Sequence, residues 1–149
     1  MTTQAAPQVV VGVDGSPEST HALRWAASYA SATGGTVTAV LSWHYPSAVG
    51  PAPTGIAPKG ISDEVRASMQ EVLDKAVAEV FGSPAPAWVQ TKVAYGHPAN
   101  TLVEESEHAD LLVVGNRGHG KFTGMLVGSV SIHCVSNALC PVVVVRGKE

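Results

Sequence analysis

Positive charge is not in excess in this sequence, because nine lysines and arginines stand against twelve aspartates and glutamates, for a formal net charge of -3. Nucleic-acid-binding domains usually carry a basic surplus on one face, so this composition argues against a nucleic-acid partner. Aromatic residues are also scarce, at 5% of the chain. The abundance of alanine, valine and glycine instead favours closely packed helices on a valine-rich sheet over a large aromatic ligand groove.

Cysteine and long apolar runs are equally sparse. The two cysteines, Cys134 and Cys140, have a spacing that fits neither a CxxC redox pair nor a zinc site, and solitary thiols of this kind are typical of core residues in a reducing cytosol. Aliphatic runs such as Val142–Val145 are too short to span a membrane, and the initial MTTQAAPQ lacks the basic and apolar regions of a signal peptide. These absences predict a cytoplasmic protein with no membrane partner.

Short β-branched runs are what the sequence does contain. A chain of 149 residues with 45% hydrophobic and 14% charged residues can form one domain over residues 1–149 with a buried core. Strands covered by helices on both faces are continuously apolar, which predicts central parallel strands, while an alternating run predicts an edge strand. The four continuous runs are Val9–Val13, Val37–Leu41, Leu111–Val114 and Val142–Val145, and the alternating one is Trp88–Val93.

Helical patterns separate these strands. Ser16 and Pro17 are a cap and a first helical residue, and Gly34 and Gly35 end that helix. Further helices are predicted from Ser62 to about Val80, after His97-Pro98, and over Ser129–Asn137 with Val130, Cys134 and Val135 inward. The alternation predicts an α/β fold of three layers, doubly wound around a parallel sheet. The proline-rich stretch Tyr45–Gly60 is interpreted as a surface connection, with a lid over a ligand as the alternative.

A glycine-rich loop follows the strand Leu111–Val114, at the edge of the sheet where α/β folds bind ligands. Gly115 and Gly118 allow backbone N–H groups to approach an anion. Gly128 and Ser129 stand at a predicted helix start, where unpaired N–H groups and the helix dipole favour a phosphate. Ser129 and Ser131 can add hydroxyl donors, and Arg117 or Lys121 can add positive charge. The alternative is an ordinary connection between strand and helix.

Two standard nucleotide motifs are excluded at this loop. Gly115-x4-Gly120-Lys121 is nearly a Walker A motif, but Phe122 stands where that motif needs a serine or threonine to hold magnesium. The dinucleotide fingerprint G-x-G-x-x-G is absent after the first strand. A phosphorylated receiver module is excluded as well, because only Asp14 follows the first strand and no aspartate ends the third.

The full spaced pattern Gly115-x2-Gly118-x9-Gly128-Ser129 resembles the nucleotide signature of the ATP-binding universal stress proteins. The resemblance covers nearly the whole chain, including VVVGVDGSPES, GHPANTLVEESEHADLLVVGNRGHG and CPVVVVR. It implies a five-stranded parallel sheet in the order 3-2-1-4-5, with ATP lying over strands one and four. It also implies Mg²⁺ or Mn²⁺ on the phosphates rather than a metal held by the protein itself.

The resemblance also implies which residues bind. Gly12, Val13 and Asp14 match the segment that lines the adenosine, and Ser42 matches the position whose backbone reads adenine. The phosphate positions are Gly115, Arg117, Gly118, Gly128, Ser129, Val130 and Ser131. Family members often form a homodimer through the last strand, here Val142, Val143, Val144 and Val145, and an aliphatic sheet edge needs such cover on physical grounds too.

The expected function is that of a nucleotide-responsive stress-survival and regulatory protein without strong catalysis. No catalytic residue is assigned, because Asp14 is the sole candidate base beside the loop and the resemblance gives it to the nucleoside. Capping of a turn or helix is the alternative role of Asp14. Two further alternatives stay open: a slow ATPase or phosphotransferase assisted by His119, and a sensor of cyclic AMP.

Overall fold

Strands and helices alternate along the chain. The computed structural model describes residues 6–43, 63–116 and 129–146. Within these ranges the elements are β1 (Gln8–Gly12), α1 (Pro17–Thr33), β2 (Thr36–Trp43), α2 (Asp63–Phe81), β3 (Val89–Tyr95), α3 (Pro98–Ser106), β4 (Leu111–Gly115), α4 (Ser129–Asn137) and β5 (Val142–Val145).

The five strands form one parallel sheet in the order β3-β2-β1-β4-β5. This confirms the predicted three-layer α/β fold and its strand order. The connections reverse direction between β1 and β4, so a crevice opens past the carboxyl ends of these two strands. β5 lies at one edge of the sheet and β3 at the other. β5 pairs with β4 over four residues, from Leu112↔Val142 to Gly115↔Val145.

Helices cover both faces of the sheet, which explains why the strand sequences are continuously apolar. On β1, Val9 and Val11 belong to the core beneath α1 and α2, while Val10 belongs to the core on the opposite face. Leu112 and Val113 of β4 divide between the two faces in the same way and are fully buried. The central strands are therefore fixed by apolar contacts from two layers at once.

The helix boundaries follow from local hydrogen bonding. The Ser16 side chain accepts a bond from the backbone N–H of Ser19, with Pro17 at the first turn, as predicted. Gly34 ends α1 in the left-handed conformation, at φ 73°. His97 begins α3, because its Nδ1 accepts a bond of 3.2 Å from the backbone N–H of Ala99.

The structure differs from the sequence expectations at a few positions. β1 ends at Gly12 rather than Val13, and β3 continues to Tyr95. The prediction that Val135 points inward is wrong: the residue is 57% exposed, whereas Cys134 is fully buried. At 3.6 residues per turn, the inward face of α4 passes through Ser131 and Cys134 and leaves Val135 outside it.

Two regions that carried predictions lie outside the described residues, namely the stretch Tyr45–Gly60 and the middle of the glycine-rich loop, 117–128. The helices within residues 6–43, 63–116 and 129–146 are α1, α2, α3 and α4. None of these helices combines the length and the apolar character that crossing a bilayer requires.

Candidate functional site

The crevice between β1 and β4 collects the described residues that the sequence singled out on these strands. β1 ends at Gly12, and Val13 continues its path by donating a backbone bond of 2.8 Å to the Val40 carbonyl of β2. Asp14 follows at once. Gly115 ends β4, next to β1 in the sheet. The carboxyl ends of these neighbouring strands therefore bring the segments that were predicted to contact adenosine and phosphate to one edge of the sheet.

Asp14 forms the turn that leads from β1 into α1. Its Oδ1 accepts bonds from the backbone N–H of Ser16, at 2.9 Å, and from the Ser16 hydroxyl. The Asp14 backbone N–H donates to the Ser19 hydroxyl at 3.2 Å. One carboxylate oxygen thus has the turn-capping role that was the alternative for this residue. Asp14 also lines a cleft between α1, α2 and the end of β2.

The start of α4 is tied to the end of β4. Ser131 is buried, and its hydroxyl donates a hydrogen bond to the Gly115 carbonyl. Its single hydroxyl proton is thereby used within the protein, which differs from the expected role as a hydroxyl donor to phosphate. Ser129 is exposed and Val130 half-buried. The first N–H groups of a helix have no partners within it, and the first turn of α4 contains no acidic residue.

Gly115 also lies against the beginning of α1. A Cβ added at this position would be 2.8 Å from the Glu18 carbonyl oxygen and 3.0 Å from the Glu18 carbonyl carbon. Both contacts are to backbone, so a side chain has no room here. The absence of a Cβ lets the first turn of α1 and the first turn of α4 approach the end of β4 together.

Ser42 lies near the end of β2, two residues beyond the last residue that pairs with β1, Val40. Its hydroxyl is 2.5 Å from the Gly96 carbonyl oxygen and 3.0 Å from the Thr101 hydroxyl oxygen. Backbone groups alternate in direction along a strand. The Val40 carbonyl accepts a bond from Val13 on the β1 side, whereas the Trp43 carbonyl accepts one from Gly96 on the β3 side. Ser42 is two residues after Val40, so its N–H and carbonyl also point to the β1 side, beyond the end of β1.

A cleft of about 710 Å³ opens beside these residues, between α1, α2 and the end of β2. It meets the predicted nucleoside positions at Asp14 and Ser42. The rest of its wall is mostly apolar, with Lys75 and Glu79 as its other charged members; the remaining lining residues are Gly15, Pro17, Thr20, Leu41, Trp43, Met69, Val72 and Ala76.

The predicted site residues are therefore brought together in part. Gly12, Val13, Asp14, Ser42 and Gly115 border the carboxyl edge of the sheet, with the start of α4, Ser129 to Ser131, held against it. Arg117, Gly118, Gly128 and His119 lie outside the described residues. Among residues 6–43, 63–116 and 129–146, no three His, Cys, Asp or Glu side chains cluster as a metal site would require.

Sequence reasoning missed Gly96 and Thr101, which contact the Ser42 side chain from beyond β3 and from α3. They stand 54 and 59 residues away from Ser42 along the chain. No local pattern in the sequence links them, because the contact exists only through the parallel pairing of β2 with β3. The one feature of the sequence that could have pointed to this contact is Gly96, a glycine directly after the strand β3.

Comparison with known proteins assigns this chain to a family. Residues 7–146 match the Universal stress protein family, and the chain belongs to that family. A universal stress protein of Mycolicibacterium smegmatis is 35% identical over 148 residues, which is 95% of this chain and 48% of the relative. The chain thus spans about half the length of the curated relatives it matches.

Solved structures share this fold. A universal stress protein crystallised in complex with cAMP has a TM-score of 0.60 and 26% identity, covering 96% of this chain and 98% of that protein. A universal stress protein from Archaeoglobus fulgidus in complex with dAMP has a TM-score of 0.63 and 24% identity, covering 94% and 97%. The second likeness concerns the fold alone.

Proposed function

We propose that this chain binds an adenine nucleotide, with ATP as the ligand, and responds to it as a regulatory stress-survival protein. One observation carries the proposal: the Ser131 hydroxyl holds the start of α4 at the end of β4, at the switch point of the sheet and beside the β1 end that carries Asp14. Parallel α/β sheets bind ligands at that point. Membership of the universal stress protein family supports the same reading.

The phosphates lie at the start of α4. Backbone N–H groups of Ser129, Val130 and Ser131 supply donors there, and the positive end of the helix dipole favours the negative charge. Gly115 lets the loop begin close to α1, while Arg117, Gly118 and Gly128 complete the phosphate loop in this proposal. Mg²⁺ or Mn²⁺ is held mainly by phosphate oxygens, which such hard cations prefer.

The adenosine lies over the end of β1. Gly12, Val13 and Asp14 line it, and the Ser42 backbone, which points past the end of β1, reads the base. The 710 Å³ cleft reaches both Asp14 and Ser42, so the base has open space next to the groups that recognise it. An apolar wall with few convergent polar groups is the usual character of such a site.

ATP acts here as a ligand rather than as a substrate. The Asp14 carboxylate is engaged in the turn with Ser16, which leaves it poorly suited to activate water. Slow hydrolysis or phosphotransfer is the enzyme alternative, and it is measured directly as product formed above that of the variant Gly118→Ala/Gly128→Ala. Tight stoichiometric binding without turnover supports the ligand role, and product formation above this background contradicts it.

A specific observation favours a second candidate ligand, cyclic AMP. The structure at 26% identity with nearly complete coverage is a universal stress protein in complex with cAMP. A site that holds adenosine and phosphate over β1 and β4 accommodates either nucleotide. Calorimetry against ATP, ADP and cyclic AMP, with mass spectrometry of the natively purified protein, distinguishes them.

A negative charge introduced at the phosphate end gives the sharpest test. Ser129→Glu places a carboxylate at the start of α4, where it suits the helix dipole but repels phosphate. The expected result is a loss of ATP affinity of about 10-fold or more with no loss of stability. Ser28→Glu makes the same change on the exposed side of α1 and serves as the matched control. If no adenine nucleotide binds wild type better than millimolar, the proposal fails.

The assembly proposal concerns the edge strand β5. We propose a single domain over residues 1–149 that works in the cytoplasm as a homodimer formed through Val142, Val143, Val144 and Val145. All four valines are half-buried at the sheet edge. The neighbouring α4 and the turn after it expose Ile132, Val135 and Leu139 by 48%, 57% and 69%. Pairing with a second copy covers both the edge and these side chains.

A further inference from the structure

The end of β2 is held from the α3 side of the sheet by three polar groups, which we call the Ser42 clamp: the Ser42 hydroxyl, the Gly96 carbonyl and the Thr101 hydroxyl. The first two oxygens are 2.5 Å apart, and the Ser42 and Thr101 oxygens are 3.0 Å apart. Thr101 is 6% exposed, so its hydroxyl is shielded from water. Water therefore competes little for the Thr101 end of the contact.

The protons of the clamp can be assigned from its chemistry. Each hydroxyl has one proton, and a carbonyl only accepts. The Ser42 proton goes to the Gly96 carbonyl at the shorter distance, so the Thr101 hydroxyl donates to Ser42 Oγ. The Gly96 N–H in turn donates to the Trp43 carbonyl at 2.8 Å. Gly96 thus bonds to β2 through both of its backbone groups.

The clamp also explains why a glycine stands at position 96. Its φ of 149° lies in a region that side chains disfavour, and an added Cβ would be 3.0 Å from the Thr101 hydroxyl oxygen. Thr101 is fixed within α3 by its backbone bond of 2.9 Å to the His97 carbonyl. The clamp therefore connects the end of β2 to the capped start of α3.

The Ser42 side chain and its backbone groups point in different directions. The side chain lies on the α3 side, while its N–H and carbonyl point past the end of β1, toward the proposed base position. A strand residue presents one donor and one acceptor side by side. Adenine offers the complementary acceptor at N1 and donor at N6, whereas guanine offers the opposite pair on that edge.

We infer that Thr101 is a positioning residue for selectivity for adenine over guanine, because its hydroxyl, through the clamp, adds to the β2–β3 pairing in holding the Ser42 peptide groups in place. This inference rests on the proposed nucleotide binding at the same site. A mispaired base leaves buried polar groups without partners, which is how a rigid site rejects an analogue. Without the clamp, the end of β2 is held by its pairing with β3 alone, so the Ser42 peptide groups can shift to suit another base and the penalty falls.

The test uses Thr101→Val, which keeps the shape of the side chain and removes the hydroxyl. The dissociation constants for ATP and GTP are measured by calorimetry on the full chain. The expected result is a fall of about fivefold or more in the preference for ATP, since one hydrogen bond to the clamp is lost. Thr101→Ser keeps the hydroxyl and should retain the wild-type preference.

A second threonine provides the matched control. The Thr33 hydroxyl donates to the Tyr29 carbonyl at the far end of α1, so Thr33→Val removes a bonded hydroxyl away from the site and leaves the preference unchanged. If Thr101→Val does not fold, Ser42→Ala removes the clamp from its other side and should lower the preference equally.

The outcomes separate the two proposals. If wild type prefers ATP and Thr101→Val or Ser42→Ala keeps that preference, the role of Thr101 is overturned while nucleotide binding stands. An equal weakening of ATP and GTP indicates a merely structural residue and overturns it too. If wild type binds no purine nucleotide, or does not discriminate between bases, nothing is left for Thr101 to position and the inference falls.

Discussion

Gly12 and Gly115 were both singled out as nucleotide-binding positions, and packing gives each a separate reason to be glycine. An added Cβ at Gly12 would be 2.8 Å from Leu102 Cδ1, the end of a side chain. At Gly115 the corresponding contacts are backbone atoms of Glu18. A side-chain end moves aside more readily than backbone does, so the two glycines differ in how far they tolerate substitution.

We expect Gly115→Ala to destabilise the protein by about 1–3 kcal/mol, because the new methyl group has to displace the first turn of α1. Gly12→Ala is the comparison, with a smaller loss since Leu102 can adjust. Urea unfolding of both variants measures the difference. A Gly12→Ala variant that loses as much stability as Gly115→Ala would show that backbone contact is not the limiting factor.

Cys134 is a second residue whose properties depend on its local packing. Complete burial raises the pKa of its thiol from 9.0 to about 11, because the thiolate would be removed from water. The pKa of Cys140 is also raised, first by burial and then by the charge of Asp110. Both thiols therefore stay neutral in the folded protein at neutral pH.

The raised pKa of Cys134 predicts a pH dependence of stability. Between pH 9 and 11 the unfolded chain loses the thiol proton while the folded protein keeps it, so stability falls as pH rises through this window, by up to ~2 kcal/mol. Cys134→Ala removes this contribution. Unfolding free energies at pH 8.5 and 10.5 should differ less in the variant than in wild type; an equal difference in both would refute the assignment.

At the scale of elements, α3 depends on an unusual N-terminal cap. His97 accepts the Ala99 N–H through Nδ1, and Pro98 follows at the first helical position. The same helix supplies Thr101 to the Ser42 clamp, so its first turn influences the end of β2. The start of α3 is thus both a local structure and part of the proposed base-reading edge.

We expect His97→Ala to cost about 1 kcal/mol of unfolding free energy, because one N–H at the start of α3 loses its acceptor. His97→Asp restores an acceptor and adds a favourable interaction with the helix dipole, so it should recover most of the loss. Chemical denaturation monitored by circular dichroism compares the variants. Equal stability of wild type and His97→Ala would mean that water replaces the cap at no cost.

At the scale of the whole molecule, the two edges of the sheet differ. The β3 edge is polar and protected, since Arg66 donates to the outward Val93 carbonyl and Gln70 contacts Thr91. The β5 edge is made entirely of valines. The two edges thus provide an internal comparison for the proposed homodimer, because β5 is valine throughout whereas β3 has Gln90, Thr91 and Lys92 in its middle.

A proline substitution at a residue of β5 whose N–H points away from the sheet tests whether the homodimer forms through this strand. The Pro141 carbonyl accepts a bond from Leu112 of β4, and the Val145 carbonyl accepts one from Asn116 directly after β4, so by alternation the Val144 N–H points away from the sheet. Val144→Pro removes that donor and should convert the homodimer to monomer in light scattering after size exclusion. Thr91→Pro makes the equivalent change on the β3 edge and should leave the mass unchanged. A wild-type monomer, or a dimer that survives Val144→Pro, contradicts pairing through β5.

The sequence by itself determined the fold class, because strands buried on both faces must be continuously apolar and helices between them must be amphipathic. It also located the cap at Ser16, the start of a helix at His97-Pro98, and the glycine-rich loop that is proposed to bind phosphate. The tertiary structure alone decided that Val135 faces outward, that the Ser131 hydroxyl bonds to the Gly115 carbonyl, and that Gly96 and Thr101 hold Ser42. Periodicity records which faces are buried, whereas these contacts depend on which distant elements the parallel sheet brings side by side.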